Sequence, residues 1–169
     1  TLNVLIDDNQ KAKEYIQSII GNKLNNTRFF IETGNINFDA IVNAKRKDSI
    51  YPFRGLAGVG VVFKLIQAIS KKLDLEEKEY LKYLDLVAIG TISDIVPLID
   101  ENRVIAKLGL KLVEQTRSPG VRALLNASAY KEVNSNTVSF GIAPRINACG
   151  RMGHERDALD LFLTEMEIY

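Results

Sequence analysis

Residues 83–113, YLDLVAIGTISDIVPLIDENRVIAKLGLKLV, decide the reading of this chain. Leu84, Ala88, Ile92 and Ile95 recur at three- and four-residue steps, the spacing that lines one face of an α-helix. Leu81 keeps the same step upstream, so the periodicity predicts one helix running from EEKEYL towards Pro97. Proline forces an end, because its ring disfavours the helical conformation in the residue before it. NRVIAKLGLKLVEQT then reads as a second, amphipathic helix. Asp94 stands near the C-terminal end of the first, otherwise apolar helix, where the macrodipole disfavours an anion by a few tenths to about 1 kcal/mol. A bound cation would remove that penalty. Periodicity by itself favours a turn or capping role for Asp94 ahead of Pro97.

Working outward, LAGVGVVFKLIQAISKKL has the length and the pattern (Leu56, Val59, Phe63, Ile66, Ile69) of a buried helix, set off by Pro52 and Gly55. Gly58 and Gly60 in its first turns each cost roughly 1 kcal/mol against alanine, which points to close packing or close backbone approach. FDAIVNAKR reads as a strand leading into a basic turn at Lys45, Arg46 and Lys47. At the start, Leu2 to Ile6 reads as a strand, and KAKEYIQSII as a helix with Ile16, Ile19 and Ile20 on one face. Asp8 or Asn9 is placed to cap that helix. Downstream, PGVRALLNAS and ERDALDLFLT are two further helices, the first opened by Pro119. No internal repeat or low-complexity tract is evident. Two strands followed by a predominantly helical body give an α/β layer architecture.

The apolar fraction of 46% and charged fraction of 25% are those of a soluble globular protein. No run approaches the roughly 20 apolar residues of a membrane span, and no leader is evident, so a cytoplasmic location is expected. Cys149 is the single cysteine and has no companion for a disulfide or zinc site. The 22 basic and 21 acidic side chains leave a net charge of +1, so bulk charge gives no support to a nucleic-acid partner.

Three blocks, in this order, resemble a known family. They are IVNAKRKDSIYPFRGLAGVGVVFKLIQAI (41–69), the 83–113 segment, and FGIAPRINACGRMG (140–153). Together they resemble the second half of the DHH phosphoesterase domain of RecJ-like exonucleases, which degrade single-stranded DNA from the 5′ end in repair and recombination. The resemblance covers about Asp39 to Thr164. It implies metal-dependent phosphodiester hydrolysis with two divalent ions, Mn²⁺ or Mg²⁺, that activate water and stabilise the leaving oxygen. It also implies that Asp94, in GTISDIVPL, is a catalytic metal ligand. Arg145, Asn147 and Arg151 match polar positions near the family's DNA path, although helical spacing does not put all three on one face. Cys149 falls where alanine is common in the family and reads as a small buried substitute. His154, alone in a charged loop, reads as solvated.

The pattern also breaks. The DHH triplet is missing where TRFFIETGNINF stands, and Asp7 and Asp8 lack the surrounding Gly-Asp-x-Asp, so they read as helix-capping residues. A discontinuity near Phe30 and Ile31 is expected, with residues 1–30 unplaced and residues 31–169 forming a partial DHH domain. With one matched carboxylate, the 169-residue chain alone is expected to hydrolyse no DNA. The alternative is a degenerate, non-catalytic relative that binds nucleic acid or a partner protein.

Overall fold

Ala57 is extended, and the chain turns helical at Gly58 to form α1, Gly58–Lys72. The computed structural model describes residues 42–45, 47 and 49–164, which belong to a unit running from Val42 to Tyr169. The strand expected at Leu2–Ile6, the helix after it, the first part of FDAIVNA and the expected boundary near residue 30 lie outside the described residues. Among the described residues there is no strand. Val42 and Asn43 are irregular, and Ala44 and Lys45 lie in a turn.

The single helix expected across residues 76–96 is broken. A one-turn helix, α2 (Lys78–Leu81), is followed after Tyr83 by α3, Leu84–Ser93. α3 ends four residues before Pro97, because Asp94 forms its C-cap and Ile95 turns to a positive φ of 55°. Leu84, Ala88 and Ile92 are buried as the periodicity requires, whereas Ile95 is 88% exposed. α4 (Asp100–Glu114) and α5 (Pro119–Ala127) follow. Ser118 caps α5 by accepting the Val121 amide at 3.4 Å, with Pro119 at the first helical position, where its missing N–H costs nothing.

α3 is apolar all round because it is covered on two sides. Ile89 and Ile92 join Ala106, Val113, Val121, Leu124, Val138 and Ile142 in one core cluster. Leu84, Val87 and Ala88 join Leu56, Phe63 and Ile105 in a second. Each large aliphatic side chain so buried contributes roughly 1.5–3 kcal/mol. α3 and α4 cross at Gly109, where any Cβ would run into the Cβ of Ala88 and the carbonyl of Leu84. Gly60 is buried against Leu56 as expected, but Gly58 has open space around it, so packing does not explain it.

A π-helical segment, Thr137–Ile142, leads into α6, Ala143–Arg151. The Ala143 amide reaches back five residues to the Val138 carbonyl. Pro144 has no N–H to continue a regular ladder, and the wider turn accommodates that loss. α7, Glu155–Leu163, closes the described body and packs against α5 and α6.

Candidate functional site

Asp94 emerges at the C-terminal end of the buried helix α3, and its side chain is exposed. Its amide donates to the Gly90 carbonyl at 3.0 Å and that of Ile95 to Ile92 at 3.1 Å, which closes the last turn. After Asp94, residues 96–99 lie between two non-glycine residues at positive φ, Ile95 at 55° and Asp100 at 44°. A β-branched residue in that region is an outlier, and each such backbone costs about 1–3 kcal/mol and persists only where its surroundings impose it.

The first turn of α4 supplies those surroundings. Asn102 is fully buried, and its Nδ2 donates to the Pro97 carbonyl at 3.0 Å and to the Gly55 carbonyl at 2.7 Å. Its Oδ1 is buried without a partner, a condition that costs about 1–3 kcal/mol. Beside it, Glu101 accepts the Tyr51 hydroxyl at 2.6 Å and the Lys64 ammonium at 2.8 Å. Burial pushes the Glu101 carboxyl up, but Lys64 and Tyr51 together outweigh that and hold it below its ordinary value. The Tyr51 phenol is pushed up to about 12 by burial and by its bond to Glu101. Asn102 and Glu101 therefore join three pieces of chain: the 51–55 turn, α1 and the Asp94 segment. Sequence reading passed over them, although Asn102 leaves a signal. It is a polar residue on the buried line Asn102, Ala106, Gly109, Val113 of α4.

The basic candidates lie on α6. Arg145 is exposed, yet its guanidinium donates to the Gly141 carbonyl and, at 2.7 Å, to the Ala127 carbonyl at the end of α5. Asn147 and Arg151, four residues apart, fall on a common helix face, with Asn147 half-buried and Arg151 exposed. Arg145 lies on another face. Cys149 is half-buried with a free thiol. His154 is exposed and meets Asp157 at 3.1 Å. Asp7 and Asp8 lie outside the described residues.

As an exposed carboxylate, Asp94 offers the hard oxygen donor that Mn²⁺ and Mg²⁺ prefer. Among the described residues no three His, Cys, Asp or Glu side chains converge to hold a metal ion. Asp94 thus suits the role of one ligand, and the described residues do not complete a metal centre.

Similarity to known proteins stands beside that geometry. The single-stranded-DNA-specific exonuclease RecJ of Bacillus subtilis is 46% identical over 128 residues, which make up 75% of this chain and 16% of that protein. The RecJ of Dickeya dadantii is 34% identical over 137 residues, 74% of this chain and 24% of that protein. The chain is RecJ-like. A crystal structure of Thermus thermophilus RecJ in complex with Mn²⁺ matches with a TM-score of 0.64 and 38% identity, across 73% of this RecJ-like chain and 18% of the other. A manganese-bound exonuclease RecJ matches with a TM-score of 0.61, across 68% and 29%. No protein-family model matches. The RecJ-like chain spans less than a third of each of these relatives, and its described part is predominantly helical.

Proposed function

We propose that this chain forms part of a cytoplasmic nuclease that hydrolyses phosphodiester bonds of single-stranded DNA, from the 5′ end and with Mn²⁺ or Mg²⁺, in DNA repair and recombination. The observation that carries the reading is the 46% identity to a RecJ over 128 residues, joined to an exposed carboxylate at the end of an apolar helix. In this reading Asp94 is one of several metal ligands, and the other ligands come from outside the described residues. The ion, when bound, supplies an activated water and charge neutralisation at the scissile phosphate. Arg145, Asn147 and Arg151 contact the strand, with the exposed guanidinium of Arg151 on phosphate. Residues 31–169 belong to a partial DHH phosphoesterase domain of α/β type.

The test is digestion of 5′-phosphorylated single strands and matched duplex by the gene product that carries this chain, with and without Mn²⁺. Metal-dependent shortening of the single strand from its 5′ end is expected. Binding of single-stranded DNA without hydrolysis, across a Mn²⁺ titration, would overturn the enzymatic reading in favour of a non-catalytic binding module.

A further inference from the structure

We infer that Asn102 is a positioning residue that fixes the Asp94 segment against the 51–55 turn; the inference rests on the reading of Asp94 as a metal ligand. Asn102 contacts neither substrate nor metal in this account, and it acts through backbone. Its two Nδ2 hydrogens are shared between the Pro97 and Gly55 carbonyls, 3.0 Å and 2.7 Å away, one on each piece of chain it joins. Pro97 is three residues from Asp94 and lies between the two positive-φ residues, Ile95 and Asp100. A strained segment holds its conformation only where its surroundings over-determine it, and a rigid side chain at 0% exposure gripping the middle of that segment does so.

The orphaned Oδ1 supports the same conclusion. A buried amide with an unpaired acceptor is a poor core residue, and an aliphatic side chain on the buried line of α4 would avoid that penalty. What an aliphatic side chain would lack is the pair of donors. Those donors serve two carbonyls, one of them in the segment that presents Asp94. The neighbouring Glu101 reinforces the grip by holding Tyr51, in the same turn as Gly55, and Lys64 of α1. A ligand carboxylate needs such support, because groups that orient metal ligands commonly set metal affinity within a factor of ten to a hundred.

The experiment compares Asn102→Ala and the milder Asn102→Ser with Val113→Ala, a cavity in the same helix remote from the segment, all in the gene product that carries this chain. Hydrogen exchange is read at the amides of Asp94 and Ile95, which donate to Gly90 and Ile92. Direct Mn²⁺ binding is read by titration. At a matched loss of melting temperature, the Asn102 variants should lose about tenfold more protection at these two amides than Val113→Ala. They should also bind Mn²⁺ about tenfold more weakly, with Val113→Ala unchanged. Should Asn102→Ala not fold, Asn102→Ser carries the comparison. Equal loss of protection in both positions, or unaltered Mn²⁺ affinity in the Asn102 variants, would overturn the inference. Asp94→Ala with normal Mn²⁺ affinity would instead overturn the ligand assignment, and the exchange result separates the two failures because it does not depend on the metal.

Discussion

The turn after α3 and the helix α6 hold their charged candidate groups in opposite ways. Asp94 makes no side-chain hydrogen bond among the described residues, and its segment is held through backbone, by the bond from Asn102 to the Pro97 carbonyl. On α6 the charged group is itself the clasp: Arg145 reaches out of its own helix to the Ala127 carbonyl of α5. A carboxylate that must meet a cation gains from leaving its oxygens free and having its backbone fixed. A guanidinium has five N–H donors, so it can grip a carbonyl or two and still offer an edge to phosphate.

The largest effect expected from this contrast is at Asp94. Asp94→Ala should lower nuclease activity of the gene product by roughly a hundredfold or more, since removal of a ligand weakens both metal binding and hydroxide formation. Its metal-free melting temperature should hold or rise slightly, because an exposed anion leaves a helix C-terminus, worth a few tenths to about 1 kcal/mol. Activity within a few-fold of wild type across a Mn²⁺ titration would break the assignment. A sharp fall in stability would make Asp94 a structural cap.

The scaffold between the two regions sets the next scale. Gly109→Ala pushes a methyl group against the Leu84 carbonyl where α3 and α4 cross, and should cost about 1–3 kcal/mol in chemical denaturation. Gly58→Ala, with open space at the start of α1, should be neutral or stabilise by up to about 0.5 kcal/mol. A reversal of that order would mean that the α3–α4 crossing differs from the one described.

On α6, Arg145 and Arg151 differ in what they hold. Sequence alone suggests that both act on DNA with no effect on stability. The bonds to Gly141 and Ala127 change that for Arg145, and Arg145→Ala should cost about 1–2 kcal/mol. Arg151 is exposed in the last turn of α6, and Arg151→Ala should stay within about 0.5 kcal/mol. It should still weaken single-strand binding and lower the log–log salt slope by about 0.7. Equal melting temperatures for the two variants would remove the clasp, and an unchanged salt slope would remove Arg151 from the DNA path.

These residues also mark how far the sequence could be read. The apolar rows of α1, α4, α5 and α7 were legible, because burial of one face imposes a 3.6-residue period. α3 was legible in content but not in extent. Covered on two sides, it has no polar face to show where it stops, and its end is set by the Asp94–Ile95 turn and not by Pro97. The π-helical segment left no trace, since its period matches neither helix nor strand. At the site, Asp94 was singled out through motif resemblance and not through its chemistry. Asn102 was missed because its role depends on Gly55, which is 47 residues away in the chain.

The smallest effect concerns pH, and it sets a half-buried acid, Glu101, against a buried one, Asp85. Glu101 lies by the Asp94 segment, and its carboxyl is held low by Lys64 and Tyr51 in spite of burial. Asp85 accepts the Leu86 amide at 2.7 Å and the Thr116 hydroxyl at 3.4 Å, just ahead of the helix whose far end Arg145 grips. Burial raises the Asp85 carboxyl above its ordinary value, and those two bonds offset only part of the rise. A depressed carboxyl contributes stability above its unfolded value, which is lost as pH falls through the folded one. A raised carboxyl does the reverse: stability declines as pH climbs from the unfolded value to the folded one. Melting temperature followed from about pH 3 to 7 should therefore separate two variants. Glu101→Gln should be less stable than wild type at neutral pH and converge with it in acid. Asp85→Asn should gain on wild type as pH rises, because the amide carries no charge to desolvate. Parallel curves for wild type and Asp85→Asn would mean that Asp85 is already hydrated or paired, and that the start of α5 is not held by a strained carboxylate.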